Sequence, residues 1–210
     1  STRVRSSAAS DVYKRQFLDL LTKEDSKPQK DYVLIGKERH DVGRPNDQGY
    51  PIRGIIKGDF LYLINFETSR WPAGNPETGY MNVDGSPTKT EVLKARRNPE
   101  TESYWQLSFG KRQKEELYKI SEDRECIVNL AEDANYDTLK RQMRSELLQK
   151  LAEQQDPRML GQGDIFDSYP YMGSARDAWN RIKKGESVPA RSINTVSYTH
   201  LRAHETRHDL

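Results

Sequence analysis

The sequence predicts an α+β fold: a small antiparallel sheet of about four strands, one packed amphipathic helix toward the C-terminus, and long irregular loops. Three observations lead to this prediction. Short runs rich in β-branched and aromatic residues recur at 31–36, 52–66 and 114–120, as strands require. Leucine and methionine then recur at helical spacing within 135–157. Glycine, proline and asparagine are frequent at 67–89, which is typical of irregular loops.

The three strand-like runs together supply about four strands. The run DYVLIG, at 31–36, ends in glycine and predicts one short strand. The longer run at 52–66 predicts a β-hairpin with a tight turn centred on Gly58, because glycine tolerates the backbone conformation of such turns. The run KEELYKI, at 114–120, alternates in polarity and predicts a further strand.

The second strand of the predicted hairpin is apolar on both faces. Alternation divides its apolar residues between the faces: Phe60, Tyr62, Ile64 and Phe66 on one, Leu61 and Leu63 on the other. A strand of this kind needs cover on both faces, and a single helix covers only one. We therefore expect a partner domain to cover the second face.

A helix is predicted at 86–97, in the sequence SPTKTEVLKARR. Ser86 is suited to be its N-cap and Pro87 to be its first helical residue. The apolar stretch SYWQLSFG, at 103–110, follows soon after. Its pattern matches neither a strand nor a helix clearly, so its state stays open.

The clearest helix is predicted at 135–157. Its apolar stripe consists of Leu139, Met143, Leu147 and Leu151, widened by Leu148 and Ala152. Asp156 precedes Pro157 and ends the helix, because a residue before proline is disfavoured in the helical conformation. The segment 158–196 has aromatic anchors but little periodicity, and we expect it to wrap over a surface.

The composition is polar for a self-sufficient globular protein. Of 210 residues, 34% are hydrophobic and 31% are charged, so either part of the chain does not fold or the chain is a piece of a larger protein. No apolar run approaches the length of about 18 residues that a membrane span needs. The net charge of +2 is too small for a nucleic-acid partner to be expected. Cys126 is the only cysteine, which excludes an internal disulfide, and an inert buried thiol is expected.

Both ends of the chain resemble translated sequencing adapter, on the fragments DVYKRQ and SYTHLRAHETRHDL. We therefore expect 1–16 to be an artefactual leader, 17–196 to be the natural fragment, and 197–210 to be an artefactual tail. Neither end is expected to contribute to the fold. Read as natural sequence, the tail would align three imidazoles and a carboxylate along one helical face as a zinc site. Those residues are His200, His204, His208 and Glu205.

A charged loop, GKERHDVGRPNDQGYPIRG, occupies 36–54 between the first two predicted strands. Its charged and aromatic side chains are Glu38, Arg39, His40, Asp41, Arg44, Asp47, Tyr50 and Arg53. Such a loop is either a solvated connector, in which opposite charges pair with one another, or a binding loop held by a rigid scaffold. Arg53 begins a strand and is a candidate for a structural role. Tyr50 is expected to anchor the packing.

The segment EELYKISEDRECIVNLAED, at 115–133, resembles the C-terminal signature of the sulfatase family. That signature has a strand of the form E-L-Y-D-L, then a short acidic segment, a glutamate and N-L-A. The matching residues are Glu116, Leu117, Tyr118, Glu122, Asp123, Glu125, Asn129, Leu130 and Ala131. Arg124 replaces the usual proline. With YPIRGIIKGDFLYLINF upstream, the resemblance covers roughly 17–195 and is nearest to the sulfamidase-like branch, which handles sulfated amino sugars of heparan type.

The resemblance implies a parent enzyme of the alkaline-phosphatase superfamily. A large N-terminal catalytic domain would hold a formylglycine nucleophile and a calcium ion bound by carboxylates, and neither is expected in this chain. The parent would be a sulfuric ester hydrolase acting on sulfated carbohydrate of glycosaminoglycan type, located in the periplasm or secreted. The chain alone would bind no cofactor and be inactive. Its partners would be the missing catalytic domain and the sulfated carbohydrate.

The resemblance also implies that the loop at 36–54 reaches the mouth of the parent's active site. The expected substrate-binding residues are Glu38, Arg39, His40, Asp41 and Arg44. Arginines form forked, charge-assisted hydrogen bonds with anionic oxygens. His40 is suited to donate to a sulfate oxygen or a sugar hydroxyl. Glu38 or Asp41 is suited to orient His40 or to accept from sugar hydroxyls.

Two other functions remain open from the sequence. One is the C-terminal piece of a related phosphoesterase or phosphonate hydrolase of the same superfamily. The other is a stand-alone module that binds carbohydrate or protein, in which case the natural gene would start near Phe17. The nucleophile motif upstream distinguishes a sulfatase from a phosphoesterase or phosphonate hydrolase, since sulfatases use Cys/Ser-x-Pro-x-Arg.

Overall fold

The computed structural model describes residues 31–40 and 42–188, and it confirms the α+β prediction. Four strands form one antiparallel sheet in the order of the chain. They are β1 (Tyr32–Lys37), β2 (Ile52–Lys57), β3 (Phe60–Asn65) and β4 (Glu115–Lys119). The predictions for both termini and for the three C-terminal histidines lie outside the described residues.

The helices of the described residues are short except for one. The α-helices are α1 (Pro87–Ala95), α2 (Glu102–Phe109), α3 (Asp137–Glu153), α4 (Ile165–Ser168) and α5 (Ala178–Lys183). Short 3-10 helices occupy Pro45–Asp47, Pro76–Thr78 and Ala134–Tyr136. Each of the predicted strands and helices in this part of the chain is present, with ends that differ by a few residues.

The β2–β3 hairpin has the predicted tight turn. Gly58 has φ 53°, a left-handed conformation in which a side chain would be strained. The register pairs Lys57 with Phe60 across the turn and Ile55 with Tyr62 further along. Residue alternation then sends Tyr62 and Ile64 to one face of the sheet, as predicted.

Helix α3 covers that face. Met143, Leu147 and Leu151 are buried, and the helix packs on β2 and β3. Burying three such side chains contributes about 1.5–3 kcal/mol each. Ala152 is exposed, so its assignment to the stripe is wrong. Each residue turns the helix by about 100°, which carries Ala152 away from a stripe centred on the other three.

Helix α1 begins as the sequence predicts, and the stretch at 103–110, whose state the sequence left open, lies largely in helix α2. The Ser86 hydroxyl accepts a hydrogen bond from the Lys89 backbone N–H at 3.1 Å, which is the N-cap interaction. The stretch 103–110 is largely helical in α2. Its two buried residues, Trp105 and Phe109, are four apart, too few for a period to be visible in the sequence.

Among residues 31–40 and 42–188, the second face of the sheet carries a groove and is called the open face. Leu61 and Leu63 lie on it and are half-buried. Within the described ranges, helix α3 packs on the opposite face, and Leu107 of α2 lies over one side of the open face. Cover by a partner domain stays a prediction.

A buried ionic cluster joins three distant parts of the chain. Arg53 of β2 donates to both oxygens of Asp156 after α3, at 2.6 and 3.3 Å, and to Glu38 at 2.6 Å. Arg158 donates to both oxygens of Glu38, at 2.8 and 2.7 Å. The four side chains are 7–19% exposed. The structural role considered for Arg53 is thereby confirmed.

We expect Arg53→Met to destabilise the fold strongly. The substitution leaves Asp156 without its guanidinium partner in a buried setting, and breaking a buried ion pair typically costs about 3–5 kcal/mol. Urea unfolding of the two proteins measures the difference in free energy. Arg141→Met is the matched control, because Arg141 is exposed on α3, and its effect should stay within about 0.5 kcal/mol. Equal effects of the two substitutions would contradict the assigned role.

The cluster also predicts a dependence of stability on pH. Burial acts to raise the pKa of Asp156, but hydrogen bonds from Arg53 and the Arg158 amide, with their charges, lower it overall. In the unfolded chain the pKa of an aspartate is about 3.9. Because the pKa of Asp156 is lower in the folded chain, its carboxylate stabilises the fold at any pH above about 3.9. That contribution is lost as the pH falls through the lower pKa of the folded state.

The difference in unfolding free energy between the chain and its Asp156→Asn variant reports this contribution. We expect a constant difference from pH 7 to about pH 5 and a shrinking one below it, because the protonated carboxyl then resembles the amide. A difference that stays the same at pH 3 would show that Asp156 does not contribute through its charge.

Candidate functional site

One backbone hydrogen bond joins the two ends of the loop between β1 and β2, and another holds its middle. The Tyr50 N–H donates to the Glu38 carbonyl at 2.8 Å, and the Asn75 N–H donates to the Gly43 carbonyl at 2.7 Å. A Cβ atom at Gly49 would lie 2.6 Å from the Glu38 carbonyl oxygen, closer than atoms can approach. Glycine is therefore required where the two ends of the loop cross.

Arg44 holds the loop from beneath. Its side chain is 1% exposed. Its Nε and Nη2 atoms donate to the carbonyl oxygens of Trp71 and Pro72, each at 2.7 Å, and Nη1 donates to Gln48 at 3.2 Å. These contacts put the charge under the loop surface, where it links the loop to the segment at 71–72.

Arg39 fastens the loop to the segment that follows α4. Its two terminal nitrogens donate to the carbonyl oxygens of Asp47 at 3.1 Å and Tyr169 at 2.9 Å. The guanidinium carbon lies 5.8 Å from the centre of the Tyr171 ring. Arg39 is half-buried, so it holds the loop while leaving part of its charge near the surface.

Of the other sequence candidates, Glu38 is an anchor and His40 is exposed. Both carboxylate oxygens of Glu38 accept from Arg158, and one also accepts from Arg53. His40 lines the groove on the open face of the sheet. Asp41 lies outside the described residues. Of the four described candidates, Glu38, Arg39 and Arg44 therefore anchor the loop, and His40 is exposed.

Two aspartates hold the second half of the loop through contacts that have no local signature in the sequence. The Gly49 N–H donates to Asp167 at 2.9 Å, and Arg70 pairs with the same carboxylate at 2.8 Å. Asp47 accepts from the Asp177 N–H at 2.8 Å. These partners lie more than 100 residues from the loop. The segment at 158–196 was predicted to wrap over a surface. Its described part packs over this loop through these contacts and those of Arg39 and Glu38.

The groove beside His40 has a volume of about 460 Å³. Leu61 and Leu63 form part of its floor, with Leu107 at one side. Its polar lining includes Lys37, Tyr50, Asn65, Arg112 and Glu116. This volume lies within the range of about 300–1,000 Å³ that is usual for small-molecule sites.

The groove is lined by both acidic and basic side chains, and their surroundings shift the pKa of some of them. Glu116 accepts hydrogen bonds from Asn65 Nδ2 at 2.6 Å and from the Tyr118 hydroxyl. Burial lowers the pKa of Lys37, and the positive charges of Arg44 and Arg112 lower it further. Burial also raises the pKa of Tyr50 to about 12. Lys37 was not singled out from the sequence, where it is one lysine among many.

Cys126 lies at the rim of the same groove and is half-buried, less than the sequence suggested. Burial raises the pKa of its thiol, and the negative charges of Asp123, Glu116 and Glu125 raise it further. A raised pKa disfavours the reactive thiolate, which agrees with an inert thiol.

Residues 31–40 and 42–188 contain neither a metal-binding cluster nor a helix suited to span a membrane. No group of three or more His, Cys, Asp or Glu side chains in these ranges is arranged to hold a metal ion. No helix in the same ranges has both the length and the apolar character that crossing a membrane requires.

Comparison of the chain with models of protein families gives no match, and comparison with curated proteins finds none that is similar. A function for this chain is therefore proposed from its own residues and their geometry.

The contacts of Arg44 predict that it stabilises the loop and its neighbours. Hydrogen bonds from a charged group contribute about 1.5–3 kcal/mol each, so Arg44→Met should lower the unfolding free energy by about 3 kcal/mol or more. Hydrogen exchange should also lose protection at Gln48 and Asn75, whose amides depend on the loop fold. Arg97→Met at an exposed site is the control. Unchanged exchange at both amides in Arg44→Met would contradict the prediction.

Proposed function

We propose that this chain is the C-terminal part of a sulfatase that hydrolyses sulfate esters or N-sulfates of glycosaminoglycan-type carbohydrate. In this proposal the chain supplies a substrate-binding loop and leaves the bond cleavage to the parent's catalytic domain. The observation that carries the proposal is the exposure of His40 at the rim of a groove, on a loop whose other described charged residues anchor it.

The segment that resembles the sulfatase signature forms one hydrogen-bonded unit. Asn129 Oδ1 accepts from the backbone N–H groups of Leu117 at 2.9 Å and Ala131 at 3.0 Å. The Leu130 N–H donates to the Leu117 carbonyl at 2.8 Å. The N-L-A segment thus pairs with the strand of the E-L-Y segment, so the two halves of the signature depend on each other.

The chemistry of the proposal is recognition of an anion and of sugar hydroxyls. An imidazole N–H donates to a sulfate oxygen or to a hydroxyl, and an uncharged ring nitrogen accepts from a hydroxyl. Arg39 lies next in sequence to His40 and adds positive charge while it fixes the loop backbone. A rigid loop loses little conformational entropy on binding, and this favours affinity.

The nucleophile and the calcium ion of the proposed parent belong to its catalytic domain. A formylglycine there would supply the nucleophile, and carboxylates of that domain would hold the calcium ion. The residues of this chain are proposed only to bind and orient the sugar. The chain by itself is therefore expected to be inactive on aryl sulfates, and activity of the purified chain would contradict the proposal.

The test begins with the coding sequence upstream of Phe17. Sulfatases carry Cys/Ser-x-Pro-x-Arg at the nucleophile, whereas a threonine or serine in another setting would indicate a phosphoesterase or phosphonate hydrolase. Absence of any catalytic domain upstream would favour a stand-alone binding module and would overturn the proposal.

In the full-length parent, we expect His40→Ala to lower kcat/KM for a sulfated sugar. Loss of one hydrogen bond to a charged group costs about 1.5–3 kcal/mol, which corresponds to roughly 10- to 100-fold. His40→Gln retains a donor and should keep more activity than His40→Ala. Arg97→Ala, at an exposed position, should leave kcat/KM unchanged. An unaltered kcat/KM in His40→Ala would remove the binding role of the loop.

A further inference from the structure

The Asp47 carboxylate joins the loop at 36–54 to helix α5, and only one of its two oxygens has a partner. The side chain is 6% exposed. Its Oδ2 atom accepts from the Asp177 N–H, just before α5, at 2.8 Å. Within the part of the chain that the structure describes, Oδ1 is buried without a hydrogen-bond partner. Arg39 also bonds to Asp47, but at its backbone carbonyl oxygen. Burial of a carboxylate that is only half paired disfavours its ionised form.

Two unusual backbone turns meet at this contact. Asn46 and Asp47 both have φ 54°, and Asp177 has φ 59°, in a region that residues other than glycine seldom occupy. Asn180 of α5 links the turns, because its Nδ2 atom donates to Asn46 Oδ1 at 3.1 Å and also to the Asp177 carboxylate. Such conformations persist only where surrounding contacts hold them. The bond between Asp47 and Asp177 therefore helps to hold both turns.

The apolar contact between the loop and α5 is small. Val42 of the loop lies in one core cluster with Ala178 and Ile182 of α5, together with Met81 and Ala175. Helix α5 has six residues, and only Ala178 and Ile182 among them are buried. Because the stabilisation from apolar burial scales with the area buried, a polar contact has a large share in holding this helix on the loop.

The charges around Asp47 act in opposite directions. Burial raises the pKa of Asp47, and the negative charge of Asp177 raises it further. The bond from the Asp177 N–H and the positive charges of Arg39 and Arg176 lower the pKa, but the overall shift is upward. The other charged side chains of α5 pair elsewhere, Arg181 with Glu186 and Lys183 with Glu77.

We propose that Asp47 is a pH-sensitive latch, which holds α5 on the loop when its carboxyl group is protonated and weakens that contact when it ionises. The latch contributes fully below about pH 3.9, where an aspartate is protonated even in an unfolded chain. Its contribution is lost as the pH rises through the higher pKa of the docked state, a dependence opposite to that of Asp156. His40 lies two residues before Val42 in the same loop, so its support would be firmest in acid. The latch does not depend on the proposed function.

Amide hydrogen exchange of the 210-residue chain between pH 4 and pH 7.5 tests the latch. The reporter is the Arg181 N–H of α5, which donates to the Asp177 carbonyl at 3.0 Å. Its protection factor, corrected for the intrinsic effect of pH on exchange, measures local opening. We expect it to fall at least fivefold over this range relative to that of Leu147, which is buried in α3. A carbon-13 titration of the Asp47 carboxyl should have its midpoint above about 3.9.

Two variants and one control assign the effect to Asp47. Asp47→Asn keeps an oxygen acceptor for the Asp177 N–H and removes the charge, so protection at Arg181 should stay high throughout the pH range. Arg176→Gln removes a positive charge that opposes protonation, so the fall should move to higher pH. Asp164→Asn is the matched control at an exposed aspartate, and it should leave the midpoint of the fall unchanged.

Several outcomes would overturn the latch. They are a carboxyl midpoint at or below about 3.9, the same pH dependence in Asp47→Asn as in the unmodified chain, and protection that stays constant or rises with pH. An equal fall at Leu147 would assign the effect to global unfolding, and a midpoint moved by Asp164→Asn would assign it to general surface charge. Failure of Asp47→Asn to fold, judged by thermal unfolding, would show that the ionised carboxylate is the form that the fold needs.

Discussion

The buried ionic cluster around Arg53 is the interaction on which the rest of the described structure depends. It joins the start of β2, the loop at Glu38, and the turn after α3 at Asp156 and Arg158. Removing charges from water is favourable only when each one gains partners in good geometry. The cluster therefore forms only when strand, loop and helix are all in place, and it couples the position of the loop to the packing of α3.

That coupling explains why the loop is so rich in charge. Glu38, Arg39 and Arg44 each bond to a different part of the chain. The Gly49 N–H donates to Asp167 of α4, and Asp47 accepts from the Asp177 N–H before α5. Anchors of this kind make a long loop rigid without a hydrophobic core of its own. His40 is left exposed at the groove, and a rigid support of this kind is what recognition of a specific ligand needs.

The two faces of the sheet differ in what covers them. One is closed by the apolar stripe of α3, and the other carries Leu61 and Leu63 together with polar atoms that have no hydrogen-bond partner among the described residues. An apolar face with unsatisfied polar groups has a cost in an isolated chain. Cover by the partner domain that the sequence predicts would relieve this cost.

The sequence by itself determined the elements whose cause is local. The β2–β3 hairpin, the Ser86 cap and the buried stripe of α3 each depend on neighbouring residues, so their patterns were visible without the fold. Helix α2 was not, because only two of its residues are buried. The tertiary structure alone decided which charged residues are anchors and which is exposed. Their partners lie up to 130 residues away, and pairing over such distances has no signature in the local sequence.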